Sequence, residues 1–499
     1  MRCSPLVVRL AVGVACLALP ATAGASPHQL SIFHDEPVLR GLSAQNADAS
    51  MAEIEYLGAD MVRTFVHWRD VAPQVDSPVM PEGFDPGDPN SPGYDWHNYD
   101  AFVDRAEAHG LQIYFTISPP LPNWASEEPE GCPHPIGGRP ELGEGCFWKP
   151  STRQFAQFVK AVALRYAGRV SLYSLYNEPN LEHYLFPQEK RTRFGVVDVA
   201  AKRYRSLWLH GWREIARYDP PMRNKVLFGE TAAISSPVDT LRGALCLAPD
   251  GRPFRGRMRA LQGCKDPRKL PVGGFAHHPY GQYASGSVFK RSGSDDSITM
   301  AYLGRLRRVI QGAARRGRIP PKRGIYLSEF GFQSKPPDRF NGLSLSGQAR
   351  ALNQADRLFY KDRRIRSVAQ FQLYDAPEPD DRDTFNTGLR FFEGGLKPSW
   401  RAYRLPLTAE RIAPGVVDVW GHVRPGEGRV RALVKANRRR GGRRFVVRRV
   451  RTNRSGFFQI RVRREDADQL RYGLVWRAPS GELMRSRVAR AGRFIRSLG

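Results

Sequence analysis

Acidic residues are scarce for the number of basic ones: across 499 residues, 49 Asp and Glu stand against 77 Lys and Arg, a formal charge of +28. Cysteine is scarce too, with six in the chain, and none falls in the CxxC or HxxxH-type spacing that a metal centre favours. No apolar run approaches the roughly 20 residues of a membrane span. A Gly-x-Ser-x-Gly elbow is missing, which argues against a serine esterase, and so are a phosphate-binding loop and any recognisable nucleic-acid motif. With 47 Gly, 39 Pro, 41% hydrophobic and 11% aromatic residues, the composition is that of a folded protein and excludes global disorder and collagen-like structure.

The positive charge is concentrated at one end. From Arg411 onward, 24 basic residues face 6 acidic ones, well over half of the whole excess. At the other end, Arg2 and Arg9 precede an apolar stretch, Leu10 to Leu19, followed by Pro20 and a small-residue sequence through Ser26. Residues 1–25 therefore read as a secretory signal peptide, and Gly13-Val14-Ala15 before Cys16 makes a poor lipoprotein signal. Cleavage removes Cys3 and Cys16 and leaves two close pairs, Cys132 with Cys146 and Cys246 with Cys264. An even count in an exported protein favours two loop-stapling disulfides and an extracellular or wall-associated location.

Apolar runs rich in Val, Ile, Phe and Tyr predict eight strands: Leu30–His34, Met61–Trp68, Leu111–Ser118, Val170–Glu178, Lys225–Thr231, Gly273–Tyr280, Gly324–Phe332 and Ser367–Tyr374. Helix-period segments lie between them, such as Asn98–His109 and Thr152–Tyr166. This rhythm predicts an α/β fold, a (β/α)8 TIM barrel over residues 26–408. After Pro406 the pattern turns to short alternating runs with Gly, Pro, Asn and Ser turns, which predicts a small C-terminal all-β sandwich over 409–499.

Two of the barrel strands end in a carboxylate. Val170–Tyr176 runs into Asn177-Glu178-Pro179, and Ile325–Leu327 into Ser328-Glu329-Phe330-Gly331. On strands four and seven these acids face each other across the barrel mouth, where one could protonate a leaving oxygen while the other attacks an anomeric carbon. Trp68, Trp124, Trp148, Tyr283 and Tyr374 are placed around the same mouth and offer faces on which sugar rings could stack, or serve as core. Glu230, Asp35 and Glu36 read as hydroxyl binders or loop salt bridges.

Together with Arg63 on strand two and His278-Pro279-Tyr280 on strand six, these motifs resemble clan A glycoside hydrolases of the cellulase-like kind, family five or thirty-nine type. The resemblance implies a retaining glycosidase acting on a β-linked polysaccharide or oligosaccharide, with Glu178 as acid/base, Glu329 as nucleophile and no cofactor. It implies that Arg63 keeps Glu329 ionised, that Asn177 bonds the sugar 2-hydroxyl, and that His278 and Tyr280 orient Glu329 or the sugar. A tryptophan common on strand eight is replaced here by Gln370-Phe371-Gln372-Leu373-Tyr374, where Tyr374 or Gln372 could fill its place. The alternative reading is a catalytically inactive barrel that binds cell wall or polysaccharide. For the arginine-rich tail, the expected partner is an extracellular anionic polymer, against a plain solvated face.

Overall fold

The computed structural model describes residues 28–133, 145–281, 294–377, 385–424 and 428–492. The expected signal peptide, residues 1–25, and Tyr283 lie outside these ranges.

Eight parallel strands close into a barrel: β1 (Leu30–His34), β2 (Met61–His67), β3 (Gln112–Ser118), β4 (Leu172–Leu175), β5 (Val226–Thr231), β6 (Gly274–His277), β7 (Gly324–Leu327) and β8 (Ile365–Phe371). Each pairs with its neighbour in sequence, and β8 pairs with β1. Parallel neighbours need long crossovers, and amphipathic helices supply them. Thr152–Arg165, capped by the Ser151 side chain, buries Phe155, Phe158, Val159 and Val162, and Val199–Tyr218 packs beside it.

Because strand side chains alternate, inward positions repeat every second residue. Ile32, Met61, Leu172, Leu227 and Ala276 fill the barrel floor, while Phe33, Val62, Ile113 and Phe115 belong to the larger core under the helices. Two residues further along, the inward positions turn polar: His34, Arg63, Thr116, Ser174 and His278, all buried. Pairing on β4, β6 and β7 stops earlier than the apolar runs suggest, before Glu178, His278 and Glu329. Pro179 and Pro279 have no N–H to extend a ladder, and Tyr176 (φ 73°) and Glu178 (φ 38°) leave the extended region altogether. The chemistry-bearing residues are thereby lifted out of the sheet.

The cysteines are joined as Cys132–Cys146, in the segment after β3, and Cys246–Cys264, in the segment after β5, with Cα atoms 5.1 and 5.6 Å apart.

The C-terminal part is all-β. One sheet holds β9 (Leu407–Ala413), β10 (Val416–His422) and β13 (Phe457–Arg463) in the order β9-β10-β13. The other runs β12 (Phe445–Arg451), β11 (Arg431–Asn437), β14 (Arg471–Arg477), β15 (Leu483–Arg485), with β16 (Ala489–Arg490) on β14. Val417, Val419, Val434, Val462, Leu474 and Trp476 share one core between the sheets. Strand β9 spans the expected boundary at 408/409.

Helix Leu345–Tyr360 of the barrel docks on this sandwich. Its Arg357 is buried and ion-paired with Asp418 and, at 3.4 Å, with Glu410, which also takes Lys361 at 3.1 Å. Gln459 donates to Asp418, and Tyr360 packs against Trp420 and Phe457. Removing one partner from a buried ion pair strands the other charges, which costs about 3–5 kcal/mol. Arg357→Met is therefore expected to lower the stability of the full chain by about 3 kcal/mol in urea unfolding; a loss well under 1 kcal/mol would show that the cluster does not join the two parts.

Candidate active site

The site grows from the polar layer of the barrel. Arg63 on β2 is fully buried and uses each of its nitrogens: Nε donates to Thr116 Oγ1 (3.0 Å), Nη1 to Glu329 Oε1 (2.7 Å) and His34 Nδ1 (2.8 Å), and Nη2 to Glu230 Oε2 (3.1 Å). Accepting from a guanidinium, Nδ1 of His34 carries no proton, and burial with the Arg63 charge beside it keeps this ring neutral.

Glu230 enters the barrel through a β-bulge. The register of β5 against β6 shifts between Gly229 and Thr231, and Gly229 (φ 117°) and Glu230 (φ 43°) both take left-handed conformations. A Cβ at position 229 would meet the Ala276 carbonyl oxygen at 2.6 Å, so only glycine fits there. The bulge turns Glu230 inward to accept from Arg63, Tyr114, His278 Nε2 (2.7 Å) and Ser328 Oγ (2.6 Å). Burial alone would raise its pKa, but the Arg63 charge and the hydrogen bond from His278 outweigh that and hold it well below the usual carboxylate range.

His278 links all three acids. Its Nδ1 bonds Glu178 Oε1 at 2.7 Å and stands 3.6 Å from Glu329 Oε2, while Nε2 bonds Glu230. Burial opposes its charge, yet Glu329, Glu178 and Glu230 together raise its pKa to about 10, so the ring is an imidazolium with a proton on each nitrogen. Tyr280 donates to Glu329 Oε2 at 3.2 Å. For Glu329 itself, burial raises the pKa and the Glu178 charge adds to this, against the pull of His278 and Arg63. Glu178, His278 and Glu329 each present an atom within 4.8 Å of the others, a spacing that could hold a cation. The same three side chains are joined through the His278 ring.

Of the residues singled out in the sequence, Arg63, Glu178, His278, Tyr280 and Glu329 converge here. Asn177 is buried beside them with its Oδ1 lacking a hydrogen-bond partner. One expectation needs correcting. Trp124 does not offer a stacking face: its ring is 3% exposed, packed on Trp68 and Phe84, with its indole N–H on the Pro73 carbonyl. Tyr374 is half-buried, its N–H on Asp35 and its ring against Arg390. The aromatic surface next to Glu329 is instead Tyr280 with Phe371 and Phe385, the last 37% exposed. Asp35 and Glu36 serve the scaffold, one accepting from Leu373 and Tyr374 N–H, the other pairing with Arg40 and His67. The buried roles of His34, Tyr114, Glu230 and Ser328 went unread in the sequence. A glycine inside an apolar strand at position 229 was the one available signal, since it marks a bulge.

No family model and no curated protein matches this chain. Solved structures similar to it include a family 39 glycoside hydrolase from Bacteroides cellulosilyticus WH2, with TM-score 0.46 and 15% identity, covering 88% of this chain and 81% of that one. Another is the virulence factor SghA in complex with its substrate analog salicin, with TM-score 0.43 and 13% identity, covering 76% of this chain and 95% of that one. A third is the endo-1,4-beta-mannanase from Rhizomucor miehei, with TM-score 0.39 and 10% identity, covering 71% of this chain and 91% of that one.

A raised histidine pKa stabilises the fold fully below the unfolded value of 6.5, and that contribution fades as pH rises through about 10. The His278 ring is expected to stay protonated from pH 5 to about 9 in nitrogen-detected NMR, and Glu230→Gln is expected to bring its titration into that range. A wild-type ring titrating near 6.5 would contradict the network described.

Proposed function

We propose that this chain is a retaining glycoside hydrolase of the clan A type, in which Glu329 is the nucleophile and Glu178 the acid/base. The observation that carries the reading is a pair of carboxylates at the ends of β4 and β7, with oxygens within 4.8 Å of each other and a shared imidazolium between them. Retaining glycosidases place their two carboxyl groups about 5–5.5 Å apart, too close for a water to attack from the opposite face as inversion requires.

The two carboxyl groups need different protonation states. Two buried cations, Arg63 and His278, face three carboxylates, Glu178, Glu230 and Glu329. Glu230, with four donors, takes one negative charge, and a double displacement needs Glu329 ionised and a proton on Glu178. Glu329 accepts from Arg63 and Tyr280, whereas the hydrogen bond on Glu178 is that from His278. The donors on Glu329 favour its anion, the state a nucleophile needs, and the reading gives the acid role to Glu178.

In the first step a Glu329 oxygen bonds the anomeric carbon as the glycosidic C–O bond breaks, and Glu178 gives its proton to the departing oxygen. In the second, Glu178 takes a proton from water, whose oxygen displaces Glu329 and restores the starting configuration. Asn177 Oδ1, buried and lacking a partner, is available to accept from the sugar 2-hydroxyl, a contact that strengthens in the transition state. Phe385 and Tyr280 offer the apolar surface for a ring face. The reading includes a β-linked glycan as substrate and action outside the cytosol, where two disulfides persist. Among the described residues no helix is long and apolar enough to cross a membrane.

Activity needs Glu329 ionised, and its pKa is raised above 4.5, so the acid limb of the rate profile is expected above that value. On a panel of aryl β-glycosides and wall polysaccharides, Glu178→Gln and Glu329→Gln are each expected to lose at least about a hundredfold in rate while remaining folded by circular dichroism. Full activity in both variants would refute the assignment, and a first product of inverted anomeric configuration would refute retention.

A further inference from the structure

We propose that the outer face of the larger sandwich sheet binds a linear carboxylated polysaccharide. This face forms a groove of about 750 Å³ across β12, β11, β14 and β15. Arg431 and Lys435 on β11, Arg449 and Arg451 on β12, Arg477 on β14 and Arg485 on β15 line it, Arg444 adds a seventh cation, and no carboxylate is among the lining side chains. None of the seven forms an ion pair among the described residues. Three acids of this domain are engaged elsewhere, Asp466 by Arg438 and Arg464, Asp468 by Arg411 and Asp418 by Arg357.

The strand register makes the arrangement unfavourable without a partner. Arg431 lies directly opposite Arg451 on the neighbouring strand, and like charges opposite each other destabilise a sheet. An anion seated between them would remove that repulsion. Arginine adds geometry to charge, because its planar fork pairs with a carboxylate through two parallel hydrogen bonds.

The floor distinguishes among polyanions. Leu433 and Val475, opposite each other in register, and Leu483, which is 40% exposed, run between the basic rows. A pyranose ring bearing a carboxylate has an apolar face for this floor and a charge for the arginines. Polyphosphate has no apolar face. Single-stranded nucleic acid is held on aromatic platforms, and among the described residues no aromatic side chain lines the groove.

The test is independent of the barrel's chemistry and uses the full chain. Binding to polygalacturonate is measured by calorimetry at two salt concentrations, beside fully methyl-esterified polygalacturonate, inorganic polyphosphate and duplex DNA. Wild type is expected to bind polygalacturonate more weakly as salt rises, and the esterified polymer at least tenfold more weakly. Arg431→Glu with Arg451→Glu is expected to lose tenfold or more, whereas Arg255→Glu with Arg257→Glu, exposed on the barrel and equal in charge change, stays within twofold. If charge reversal impairs folding, Arg431→Gln with Arg451→Gln keeps the test intact, since relieving the opposition should leave the melting temperature at or above wild type. Equal loss in the groove and barrel variants, equal affinity for polyphosphate or DNA, or no binding to polygalacturonate would overturn the proposal.

Discussion

A guanidinium and an imidazolium buried among three carboxylates are the constraint on which the barrel mouth depends. Arg63 and His278 are each fully enclosed, and each touches Glu230 as well as one of the acids at the strand ends. Burying so much charge is favourable only when every group is paired and hydrogen-bonded. The pairing is complete for Glu230, which accepts from Arg63, Tyr114, His278 and Ser328. Glu178 and Glu329 share the His278 ring, and the proposed double displacement needs one of them protonated and the other ionised.

Holding this cluster requires backbone that a regular sheet would not supply. Tyr176, Glu178, Glu230 and Gln372 all adopt left-handed conformations at the ends of β4, β5 and β8. Each such residue costs on the order of 1–3 kcal/mol and persists where packing over-determines it. Here the packing is visible: Tyr176 N–H bonds the Ile117 carbonyl, its hydroxyl bonds the Tyr184 carbonyl, and Glu178 N–H bonds the Glu230 carbonyl. The strands that carry the acids thus anchor one another, with Glu178 N–H held on the Glu230 carbonyl.

Much of this was legible from residue order. Eight apolar runs separated by helix-period segments placed all eight barrel strands, because a buried parallel strand is apolar on both faces and short. The two Asn/Ser-Glu strand ends stood out for the same reason, as charges where apolar runs stop. What stayed hidden depends on depth. Whether Trp124 packs or stacks, and whether Glu230 meets solvent or sits under His278, is set by which way a loop or bulge turns, and neither leaves a periodic trace. Phe385 is more extreme, since it reaches Tyr280 and Phe371 only through the fold. In the tail, alternation showed that arginines share a face, but the absence of acids opposite them needed the strand register.

The central claim is that Glu329 becomes covalently attached to the sugar. Incubation with a panel of activated 2-deoxy-2-fluoro β-glycosides, whose fluorine slows both steps and the second more, tests it directly. Mass spectrometry of the digested protein is predicted to find one fluoroglycosyl group on the peptide containing Glu329. A label on Glu178, or turnover of the matching unsubstituted glycoside with no label at all, would contradict the account.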